Sequence, residues 1–73
     1  MSNSQETSPR QITRQRVAAG RKDASRWALY EQGTPLGELV HWKREAMWEW
    51  QPLAGESIEG ASEAEVLLRA GLV

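Results

Sequence analysis

All four tryptophans, Trp27, Trp42, Trp48 and Trp50, fall between positions 27 and 50 of a 73-residue chain that has no phenylalanine and no cysteine. That concentration decides where a core can form. A chain this short buries only a modest fraction of its surface, so its core must come from a few large side chains. The lack of cysteine excludes disulfides and thiolate metal sites. With His41 as the one histidine, a metal site would need several carboxylates. No metal or other cofactor is expected. Tight packing of the tryptophans and oligomerisation are the remaining ways to stabilise so small a scaffold.

Around the tryptophans the pattern is that of β-strands. SRWALYEQ is rich in strand formers and is followed by GTPLG, which carries turn residues. ELVHWK makes a second strand, KREA a four-residue turn and MWEWQ a third strand. Pro52 has no N–H for a ladder and should end that strand. AGESIEGA, with two glycines, reads as a loop.

A helix should close the chain. Ser62 and Glu65 have the spacing of a capping box, and Glu63 and Glu65 suit the positive end of the helix dipole. Ala64, Leu67 and Leu68 would form its apolar face, and Gly71 its stop. The expected fold is therefore α+β, a small three-stranded antiparallel meander followed by one C-terminal helix, preceded by a basic N-terminal helix or flexible arm. Three segments follow: a disordered tail over residues 1–8, the basic arm or short helix over 9–24, and a β-β-β-α domain over 25–73.

The basic segment has helix punctuation in Ser8, Pro9, Gln11 and Gly20. Its apolar residues make a poor stripe, and an isolated helix of this length is marginal in water. The alternation in ITRQRV also allows an added strand.

A register follows if the second and third strands pair across Arg44 and Glu45. Lys43 then faces Ala46, Trp42 faces Met47 and His41 faces Trp48. If Glu31 also faces Leu36, strand alternation puts Ala28, Tyr30, Leu39, His41, Trp48 and Trp50 on one face. Trp27, Leu29, Val40, Trp42 and Met47 fall on the other, with Glu31, Glu38 and Glu49 around them. A slip of one residue would exchange these sets. One short helix covers one face, so the five residues Trp27, Leu29, Val40, Trp42 and Met47 are the expected interface with a second copy or a partner. A symmetric homodimer is the simplest cover.

Catalysis finds little to work with. A nucleophile needs an adjacent base and an orienting group, and one histidine, one aspartate and no cysteine assemble none. No enzyme and no small-molecule substrate are expected. No apolar run approaches the about 18 residues of a membrane helix, and the N-terminus has no apolar stretch of a secretory signal, so a cytoplasmic protein is expected.

Charge is unevenly spread. The formal net charge is −1, yet residues 9–26 hold six of the nine basic side chains, and eight glutamates lie from Glu31 onward. Arg10, Arg14, Arg16, Arg21, Lys22 and Arg26 are the candidate phosphate contacts of a nucleic-acid-binding protein. DNA is the expected partner, and RNA would meet the same charges. Sequence preference would come from Arg14 and Arg16 with Gln11, Thr13 and Gln15. The function expected is a small homodimeric accessory or regulatory protein of bacterial type, such as a plasmid or phage carries. The contrasting expectation is a protein-interaction module that uses a tryptophan-rich sheet face and no nucleic acid.

Overall fold

In the computed structural model, residues 11–17 and 23–72 are described. Six elements follow one another: β1 (Ile12–Val17), β2 (Ala24–Glu31), β3 (Thr34–Trp42), β4 (Met47–Pro52), β5 (Ile58–Gly60) and α1 (Glu63–Arg69). The strands form one antiparallel sheet in the order β1-β2-β3-β4-β5. The fold is thus mostly β, and the expected three-stranded meander is corrected to five strands with one short helix.

Both added strands have a physical reason. Ile12–Val17 pairs in unbroken register with β2, from Ile12 opposite Glu31 to Val17 opposite Arg26. β-branched Ile12, Thr13 and Val17 suit that pleat, and Ile12 packs against the core. A helix there would have had no apolar stripe to bury. Ile58–Gly60 is too short to show a strand pattern, but Ile58 pairs with Trp50 and joins the core.

The turns explain the register. Gln32 and Gly33, with φ of 51° and 85°, form a two-residue loop in which both central residues lie at positive φ. The turn expected at GTPLG therefore sits one residue earlier, and Thr34–Gly37 belongs to β3. Farther along, Leu29 pairs with Gly37 but Tyr30 pairs with Pro35, so Leu36 is the extra residue of a bulge. The bulge brings Trp27 opposite Leu39. Glu31 pairs with Thr34, two residues from the expected Leu36, and beyond the bulge the register differs from the expected one by one residue, so the face assignments of β2 are exchanged. The β3–β4 hairpin holds as expected, with Trp42 opposite Met47 and His41 opposite Trp48.

α1 lies against β4 and β5. Leu29, Leu39, Trp50, Val66, Leu67 and Leu72 form the buried core, with Trp27, Leu36, Trp48 and Ile58 packed around it. The helix turns Val66 and Leu67 inward, whereas Ala64 and Leu68 are exposed, Leu68 at 64 %. Its punctuation is as the sequence indicates. Ser62 Oγ accepts from the Glu65 amide at 3.1 Å. The Glu65 side chain accepts from the Ala61 amide at 3.2 Å, one residue before the cap. Gly71, at φ 78°, ends the helix in a Schellman pattern, with Leu72 N–H donating to the Leu67 carbonyl at 2.9 Å.

The face away from α1 is mixed. Val40 is fully buried there, between Arg26 on β2 and Glu49 on β4. Arg26 reaches Glu38 at 3.0 Å and Gln51 at 3.3 Å. Trp42 Nε1 donates to Glu49 at 2.9 Å. Long polar side chains thus cover much of the second face from within the chain.

Candidate functional site

Strand alternation turns Ile12, Arg14 and Arg16 of β1 toward the face that carries α1, and Thr13 and Gln15 away from it. The contacts agree. The Arg14 and Arg16 guanidiniums lie 5.8 and 5.3 Å from the centre of the Trp27 ring, a cation–π arrangement on one indole. Trp27 in turn stacks with Trp48, ring centres 5.8 Å apart and planes at 20°. His41 stacks on Trp48 at 4.3 Å and 11°. A layered strip therefore crosses the sheet beside the helix, from the two arginines through Trp27 and Trp48 to His41. It exists because the Leu36 bulge puts Trp27 on the same face as Trp48.

The two arginines are held differently. Arg16 donates to the hydroxyl of the buried Ser25 at 3.2 Å. Arg14 forms an ion pair with Glu63, the first residue of α1. Both arginines are exposed. Lys43 and Arg44 lie in the turn at the same end of the sheet as Arg16, where the Lys43 amide donates to the Asp23 carbonyl at 2.8 Å.

Three of the glutamates lie on the other side, while Glu31 shares the helix-side face with Ile12, and Glu63 and Glu65 open α1. Glu38 and Glu49 lie on the face away from α1, and Glu59 faces Glu49 across β4 and β5. Glu63 approaches the arginine strip through Arg14. The charge segregation visible along the sequence thus becomes, in part, a segregation by face.

The residues expected at a nucleic-acid site are divided. Arg14 and Arg16 come together over Trp27. Arg26 lies on the opposite face, paired with Glu38. Arg10, Arg21 and Lys22 lie outside the described residues, as does the tail over 1–8. Thr13 and Gln15 are on the opposite face from Arg14 and Arg16, so these four do not form one surface. The five residues expected at an interface are divided too. Trp27 and Leu29 lie on the helix side, and Val40, Trp42 and Met47 on the other. Leu29 and Val40 are buried within the single chain. Trp48 and His41 join the strip, although neither is among the expected phosphate contacts or interface residues. Their signal was the cross-strand pairing of His41 with Trp48, visible once β3 and β4 were set in register.

Among the described residues no group of three His, Cys, Asp or Glu side chains could hold a metal ion. Among them, too, no helix is long and apolar enough to cross a membrane. Comparison with protein-family models, with curated proteins and with solved structures found no match.

Proposed function

We propose that this protein binds nucleic acid through the helix-side face of β1, as a small accessory or regulatory protein whose arginines contact backbone phosphates. One observation carries this: Arg14 and Arg16 project side by side from alternate positions of a strand and are laid over the same indole. Stacking on Trp27 orders each guanidinium before binding; Arg16 spends one N–H on the Ser25 hydroxyl and Arg14 one on the Glu63 carboxylate, and phosphate takes the remaining N–H groups or displaces these partners. The strand replaces the arm expected from sequence, so less conformational entropy is lost on docking. Trp27 already carries two guanidiniums and a second indole, so it supports the arginines rather than offering a bare platform for bases. That favours phosphate contact, as on duplex DNA, over base stacking.

The test is titration of a labelled duplex and of its single strands across salt concentration. Log affinity should fall linearly with log salt, because each neutralised phosphate releases counterions. Absence of binding to either form at low salt would end the proposal.

A second reading is favoured by Trp42 and Met47, which lie opposite each other on the far face and are only partly buried. They offer a contact for a protein partner, including a second copy of the chain. Sedimentation of the wild type and of Trp42→Ser checks the self-association arm. A concentration-dependent increase in mass that Trp42→Ser removes, with the fold retained, would support it.

A further inference from the structure

We infer that Glu63 is an internal competitor for phosphate at Arg14, so that the chain carries its own brake on nucleic-acid affinity; this rests on the phosphate-contact reading of β1.

Arg14 and Arg16 stand two residues apart over one indole, yet their partners differ in charge. Arg16 holds a neutral hydroxyl, that of Ser25. Arg14 holds a carboxylate, that of Glu63, from a residue 49 positions away. A carboxylate presents to a guanidinium the same planar pair of acceptor oxygens that a phosphate offers. The Glu63 carboxylate therefore occupies an Nη2 N–H that a phosphate would take, and its charge repels one.

Its position is fixed by the fold. Glu63 opens α1 directly after Ser62, whose side chain holds the first turn through the Glu65 amide. α1 is packed on the sheet by Val66 and Leu67. The carboxylate cannot drift far from β1 while the helix stays docked. A phosphate must displace it by side-chain rotation, since both partners are about one-third exposed, 38 % for Arg14 and 35 % for Glu63. The exchange is of one anion for another at Arg14, whereas Arg16 has no ion pair among the described residues.

An ion pair this exposed is worth a modest free energy, so the brake is modest. Removing it should tighten binding by about 2- to 5-fold. The experiment measures affinity of the full chain for a labelled duplex at low salt, for wild type, Glu63→Gln, Arg14→Ala and the double variant. Glu59→Gln, on the far face, controls for the loss of one negative charge. Glu63→Ala serves as a second variant, and circular dichroism checks that each is folded.

The expected result is tighter binding by Glu63→Gln, little change from Glu59→Gln, and no gain from Glu63→Gln once Arg14 is alanine. If wild type binds and Glu63→Gln binds equally well, the brake is refuted while the binding face stands. Equal gain with and without Arg14 would assign the effect to overall charge and also refute it. If neither wild type nor Glu63→Gln binds, the phosphate-contact reading fails and the brake goes with it.

Discussion

Trp27 lies opposite Leu39 across β2 and β3. That pairing sets the architecture of the helix-side face. It places Trp27 in line with Trp48 and beneath Arg14 and Arg16, and it leaves Ala28 rather than an indole on the far side. The pairing exists because Leu36 is an extra residue in β3, so the geometry around the bulge bears directly on the candidate site.

Gly37 is the residue of the bulge that cannot be replaced. Its φ is 150°, and a Cβ there would collide with the Gln51 carbonyl oxygen and stand 2.8 Å from Pro52 Cα. Gly37→Ala should cost about 1–3 kcal/mol, the usual range for overpacking. Gly55→Ala, at φ 100° but with nothing within 4 Å of the new Cβ, should show the backbone strain of a positive φ without the clash, and so cost less. Urea denaturation of both variants checks this, and equal midpoints would show that β3 and β4 can part without penalty.

Leu39 stands at the centre of the core, fully buried. Leu39→Ala should destabilise by about 2–5 kcal/mol, enough to unfold much of a domain of this size. Leu53, 71 % exposed, is the internal comparison. Leu53→Ala should change stability by no more than about 0.5 kcal/mol. Thermal melts distinguish the two, and a large effect at Leu53 would mean that it is covered in solution by something beyond the described residues.

Ser62 tests the link between the helix cap and the core. Ser62→Ala removes the acceptor for the Glu65 amide and should cost about 0.5–2 kcal/mol. Because Val66 and Leu67 share the buried core with Trp50 and α1 lies against β4, the loss should appear as faster amide exchange in β4 as well as in α1. Exchange that rises in α1 alone would show that the helix frays without disturbing the sheet.

Arg14 and Arg16 should act on nucleic acid independently of sequence. Each change to alanine should lower the salt slope of binding by about 1. Thr13→Ala and Gln15→Ala, on the other face of β1, should leave it unchanged. Arg16→Lys keeps the charge but loses the planar stack on Trp27, so it should retain the slope while weakening affinity. A slope insensitive to both arginines would place the phosphate contacts elsewhere in the chain.

Much of the fold was legible locally. The capping box at Ser62 and Glu65, the stop at Gly71, the KREA turn and the pairing of His41 with Trp48 each depend on residues within a few positions of one another. Their chemistry is written in short spacings, and the structure keeps them. The strand nature of Ile12–Val17 was less legible, because its polar pattern suits neither a core helix nor a buried strand. Only its pairing with β2 selects one.

Residue types and short spacings suffice for the punctuation of the C-terminal helix, the β3–β4 hairpin, the segregation of charge and the scarcity of catalytic side chains. Which residues share a face depends on strand pairing that local sequence does not specify. A bulge adds one residue, and because side chains alternate with a period of two, that single residue moved Trp27 and Leu29 to the opposite side of the sheet. The meeting of Arg14 with Glu63 was equally beyond sequence. It joins an edge strand to a helix 49 residues away, and no local rule specifies a contact between side chains that only the packing of α1 brings together.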